Sequence, residues 1–155
     1  MIHISGNSEL HQAYISWDCF VADEARHDLH EDRFYSRIRE EVAEQIQSLQ
    51  ERGMRPDNIN PEAIRREVIN RHEDELEELR AERQAILEEA PLQRSRYPLI
   101  REVFRQQVQH LDLETERAVA DGVALEEAER KRNREFGSLL DEYRDALTHT
   151  YPEQE

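Results

Sequence analysis

A chain of 155 residues suits a single domain, and with 37% hydrophobic and 37% charged residues its core must be narrow and its surface heavily ionised. Four Gly and five Pro are too few for a turn-rich all-β fold, while abundant Glu, Arg, Leu, Ala and Gln favour helix. The net charge of −15 repels nucleic acid and anionic membrane surfaces and attracts basic partners, although a salt-adapted host would produce the same acidity.

The first helix is expected after a short start at Met1 to Gly6, with Asn7 or Ser8 as its cap. Leu10, Tyr14, Trp17 and Val21 recur at helical spacing and mark one buried face. The segment Asp23 to Asp32 is polar and either breaks or continues this helix. A second run follows at Phe34, Ile38, Val42, Ile46 and Leu49, with Gly53 just past its last turn as a C-terminal cap. Asn60, Pro61 and Glu62 then combine a capping side chain, a proline at the first helical position and an acid near the positive end of the dipole.

From Asn60 a third helix is predicted to about Ala90, with Ile64, Val68, His72, Leu76, Leu79, Ile86 and Ala90 on its inner stripe. His72 reads as a core histidine satisfied by a carboxylate on a facing helix. Pro91 and Pro98 bracket a break. The fourth helix carries Ile100, Phe104, Val108, Leu111 and Ala118 and ends near Asp121–Gly122. The fifth carries Leu125, Ala128, Phe136, Leu139, Leu140, Tyr143 and Leu147, and Gly137 within it is a defect unless another helix approaches closely there. The fold class is therefore all-α: about five helices in one domain over residues 1–155, with ends at 1–6 and 148–155 expected to fray. Helices three and four, joined by a short break, are expected to pair as a long antiparallel hairpin. The narrow stripe of helix three resembles coiled-coil patterning and predicts a homodimer.

Cys19 is the one cysteine, so no intramolecular disulfide forms, and its apolar surroundings point to a buried inert thiol. The N-terminus lacks a secretory pattern and no stretch is apolar enough to span a membrane, so the expected compartment is the cytoplasm. Among potential metal ligands, Glu24, His27, His30 and Glu31 are the densest set. Glu24 and His27 have the Glu-x-x-His spacing of carboxylate-bridged di-iron bundles, but that site needs a second copy, and the nearest analogue, Gln107 to His110, replaces the anion with an amide. A polar connecting segment with no metal and no cofactor is the expectation. There is no nucleophile elbow and no glycine-rich phosphate loop, so catalysis is not expected.

Charge is uneven along the chain. Residues 1–32 carry −6, 61–90 carry −5 and 122–155 carry −4, whereas 33–60 and 91–121 are neutral. Within the neutral fourth segment Arg94, Arg96, Arg101 and Arg105, interleaved with Tyr97 and Phe104, read as a small basic contact surface. The run Arg130-Lys131-Arg132-Asn133-Arg134 reads as a solvated face neutralised by Glu126, Glu127 and Glu129. Glu73, Asp74, Glu75, Glu77 and Glu78 form an acidic row with few local partners. The expected role is non-catalytic: an adaptor or regulatory module docking a protein, with charge favouring a basic one, through the acidic row or the arginine surface, with no direct nucleic-acid binding. The alternatives are an acidic nucleic-acid mimic, resembling in composition the small inhibitors of phages and mobile elements, and a metal-binding helical-bundle enzyme.

Overall fold

The structure, a computed structural model, describes the backbone of residues 2–89 and 97–150 and the side chains of residues 20–88 and 97–147. The chain is all-α. A 50-residue helix α1 (Ile2–Glu51) is followed by a single 3₁₀ turn (Pro56–Asn58), then α2 (Pro61–Arg71), α3 (Glu73–Glu89), α4 (Tyr97–Ala120) and α5 (Leu125–Thr150). There is no strand among the described residues, and no helix there is long and apolar enough to cross a membrane.

Local signals account for the ends. Gly53, at φ 88°, closes α1: its N–H donates to the Gln50 carbonyl while the Met54 N–H donates to Leu49. Gly122, at φ 104°, closes α4 in the same way, with Val123 N–H donating to Ala118. The Asn60 side chain accepts from the Ala63 N–H at 3.3 Å, with Pro61 at the first helical position. At its start the chain departs from expectation, since α1 is already helical from Ile2, through Asn7 and Ser8; of the two readings left open for Asp23–Asp32, the helix continues through it unbroken. The expected third helix is interrupted at His72, whose N–H donates to the Ile69 carbonyl and so tightens the last turn of α2.

The helices form two antiparallel hairpins. α2 and α3 return along α1, where His72 meets Glu41, Arg37 meets Glu75 and His27 meets Glu82. α5 returns along α4 in the most extensive pairing among the described residues. The hairpin expected between the third and fourth helices is thus replaced, because the stripe of Ile64 and Val68 packs against α1.

The apolar interior is split. One cluster holds Phe34, Ile38, Val42, Ile46, Ile59, Ile64, Val68, Val119 and Ala128; the other holds Phe20, Ile86, Tyr97, Phe104, Val108, Tyr143 and Leu147. In the second, Phe104 stacks on Tyr143 at 4.3 Å and Phe20 meets Tyr97 edge-on at 4.9 Å. Val21, expected inside, is exposed; Leu10, Tyr14, Trp17, Cys19 and Ala90 lie outside the described side chains.

Gly137 serves no close approach, since a Cβ there would meet nothing within 4 Å. Gly137→Ala should therefore stabilise the protein by about 0.5–1 kcal/mol, read as a higher midpoint in denaturant with an unchanged slope.

Candidate functional site

Within and between the two apolar clusters lie ionisable side chains, most of them buried. Arg39, Arg65, Arg101 and Arg132 are all buried, one from each of α1, α2, α4 and α5. Their counter-charges are buried (Glu24, Asp28, Asp112, Glu116) or partly buried (Glu31, Asp32, Glu129), and they fall into two groups.

The first group surrounds Arg101, which is 1% exposed. Its Nη1 donates to Glu24 and to Asp28, and its Nη2 donates to Glu31 at 2.7 Å, so one guanidinium ties three successive turns of α1. Tyr97 and Tyr143 donate their hydroxyls to the same Glu24 oxygen at 3.0 and 2.6 Å. Phe104 and Tyr143 lie under the guanidinium at 5.6 and 5.5 Å. Around the edge, Arg105 sits 3.1 Å from Glu31, and Glu82 of α3 reaches His27 at 2.7 Å and His30 at 3.0 Å.

The second group surrounds Asp112, 0% exposed. Oδ1 accepts from Arg39 and from Arg132, and Oδ2 from Arg65, each at 3.1 Å. Arg65 also donates to Glu116, Arg39 grips Glu129 with two N–H groups at 2.7 and 3.1 Å, and Arg132 lies 3.2 Å from Asp32. A single carboxylate thus joins α1, α2, α4 and α5. Arg132 is further seated over the Phe136 ring at 4.4 Å.

Burial sets the proton affinities. Desolvation, against the pull of Arg101, pushes Asp28 up to about 7. Desolvation likewise pushes Glu116 up to about 7 against the pull of Arg65. For Glu31 burial pushes the same way but loses: His27, Arg105 and Arg101 bring it down to about 2. Burial also opposes the charged form of His27, yet its bonds to Glu31 and Glu82 hold the imidazole above its ordinary value.

The structure redistributes the residues singled out in the sequence. Glu24, His27, His30 and Glu31 do not converge on a common point for a metal: Glu24 and Glu31 turn to Arg101, and both histidines turn to Glu82. Among the described residues no group of three or more His, Cys, Asp or Glu is arranged to hold a metal ion. The basic contact surface is corrected: Arg101 is interior and Arg105 mostly so, since their carboxylate partners lie on the facing side of α1. Arg94 and Arg96 lie outside the described residues. Arg132 likewise points inward and is not part of a solvated basic face.

The acidic row is exposed at Glu73, Asp74, Glu77 and Glu78, but it has more partners than its composition suggests. Arg80 pairs with Glu77 and Glu73, and Glu75 bonds Arg37 and lies 3.6 Å from His72. His72 itself meets Glu41 on the facing helix, as its place on the stripe implied.

Asp112, Glu116, Arg39, Arg65 and Arg132 were missed by sequence reading. A signal for them exists. On α1 the inward positions 20, 24, 27, 31, 34, 38 and 42 keep one unbroken helical spacing, with charges at stripe positions. Arg132 sits in the same way between Ala128 and Phe136. No protein-family model matches the chain, and neither the curated proteins nor the solved structures yield a significant match.

Two outcomes are expected. Arg101→Met leaves Glu24, Asp28 and Glu31 without their buried cation and should cost about 3–5 kcal/mol in denaturant unfolding. Asp28 binds its proton more tightly folded than unfolded, so its contribution to stability falls as pH rises from about 4 to about 7. Asp28→Asn should therefore raise the melting temperature relative to the parent near about pH 8, with the advantage gone by about pH 4.

Proposed function

We propose that the protein acts without catalysis, as a helical interaction module that pairs with a second copy of itself along the outer face of α4. The observation that carries this reading is an uncharged, partly apolar strip that holds the two most exposed large hydrophobic residues among those described. Leu99 is 71% and Val103 57% exposed, one turn apart on α4. The strip continues through Gln106, Gln107 and His110, beside a groove of about 370 Å3 that Leu111 and Leu139 help to line. Glu102 and Glu114 flank it and are engaged locally, Glu102 accepting from Gln106 at 3.1 Å and Glu114 lying 3.5 Å from His110.

Charge favours a second copy as the occupant. Two chains of −15 repel at most approaches, and contact is least opposed where each presents no charge. A self-complementary strip about a two-fold axis meets that condition, and exposed aliphatic side chains supply the drive. The non-catalytic part of the reading is supported by the way the buried acids and bases are committed to one another, Glu24 alone taking three donors.

Light scattering on a sizing column tests this. A dimer is expected, tightened in about 1 M salt because screening removes like-charge repulsion while the seam stays apolar. Val103→Glu should give a monomer with unchanged helix content. A parent chain that stays monomeric at high concentration and high salt, or a dimer that Val103→Glu leaves intact, contradicts the reading.

A further inference from the structure

A cleft of about 440 Å3 opens among α1, α2, α3 and α4, on a different side of α4 from the Leu99–Val103 strip. Four arginines line it, Arg65, Arg80, Arg83 and Arg105, against one acid, Glu31. In a chain of net charge −15 this concentrates cations against the trend of the whole molecule.

The four arginines differ in how free they are. Arg65 is held by Asp112 and Glu116, and Arg105 by Glu31. Their guanidinium carbons lie 5.4 and 4.9 Å from the centre of the Tyr35 ring, which fixes them as a rigid back wall already neutralised by buried acids. Arg80 and Arg83 are exposed at the mouth. Arg80 pairs only with exposed Glu73 and Glu77 of its own helix, contacts worth little in water. Arg83 makes no ion pair among the described residues. These two heads, three residues apart on α3, are the ones available to a ligand.

Ile69, Leu76 and Leu79 add an apolar floor to the same cleft. The volume lies within the roughly 300–1,000 Å3 usual for small-molecule sites. Acids beyond a Debye length of about 8–10 Å act weakly here, and of the near ones Glu73 and Glu77 compete for Arg80 from exposed positions, while Arg83 has no such competitor among the described residues. Two guanidinium forks suit an oxyanion with three oxygens and two charges better than a carboxylate, which offers two oxygens and one charge. We infer that this cleft binds a small phosphate monoester with a hydrocarbon body, its phosphate between Arg80 and Arg83 and its body on Ile69, Leu76 and Leu79. Such a site would give the module a small-molecule input separate from its self-pairing face.

Titration calorimetry on the full chain at low salt tests this with three probes: hexyl phosphate, inorganic phosphate and hexanoate. Hexyl phosphate should bind at least about tenfold more tightly than either of the others, because only it uses both parts of the cleft. Arg80→Ala and Arg83→Ala should each weaken it by about tenfold. Both positions are exposed, and circular dichroism checks that helix content is unchanged. The inference is overturned by an absence of binding, by equal affinity for hexyl phosphate and either other probe, or by an Arg80→Ala/Arg83→Ala double variant that binds as the parent does.

Discussion

A charge taken out of water must be met by a counter-charge held in place, and Arg39, Arg65, Arg101 and Arg132 impose that condition on the packing of α1, α2, α4 and α5. Asp112 can serve Arg39, Arg65 and Arg132 together only if α1, α2, α4 and α5 stand in one register. Arg101 can reach Glu24, Asp28 and Glu31 only if α4 lies along one particular face of α1. Sliding a helix by one turn would bury several unpaired ions at once. Apolar stripes alone tolerate such slides far better, because aliphatic contacts are non-directional. Swapping a buried ion cluster for hydrophobic residues often leaves stability unchanged or higher, so the clusters here are best understood as specifying the packing more than as adding to its strength.

The arrangement also explains why the interior is divided. Phe34 to Ile46 and their partners form one greasy block, and Phe20, Phe104 and Tyr143 anchor another, with the ions between. Each block is too small to need a wide stripe on any helix, which is how a chain with only 37% hydrophobic residues closes a core. Aromatic rings border the ionic layer: Arg101 lies over Phe104 and Tyr143, and Arg132 over Phe136. These rings exclude water while still offering a favourable face to the cation. The apolar strip on α4 and the cleft beside α3 are then surfaces of a scaffold whose helices are pinned from within.

Helix identity was legible in the sequence wherever apolar residues alone carried the period, as at Ile38, Val42 and Ile46, or where turn chemistry was explicit, as at Gly53, Asn60-Pro61 and Gly122. The buried ionic layer was not, for a physical reason. Hydropathy treats Glu24, Asp28, Arg101 and Arg132 as solvent-facing, although they occupy stripe positions and are buried by partners far away in the chain. Net charge by segment made the same error, since the arginines around Phe104 answer acids on α1 and are not surplus charge at the surface. The pairing of helices was likewise hidden, because it follows from which ion meets which. Stripe width on one helix says nothing about that.

The central claim is that four guanidinium groups are sealed inside the bundle and pinned there. Nitrogen-resolved NMR of the arginine side chains near neutral pH tests it most directly. The account predicts resolved Nε–H and Nη–H resonances for Arg39, Arg65, Arg101 and Arg132, exchanging with water far more slowly than those of exposed Arg80 and Arg83. If all arginine side-chain hydrogens exchanged at the rate of the exposed ones, the ion clusters would be open to water and the packing they dictate would fall with them.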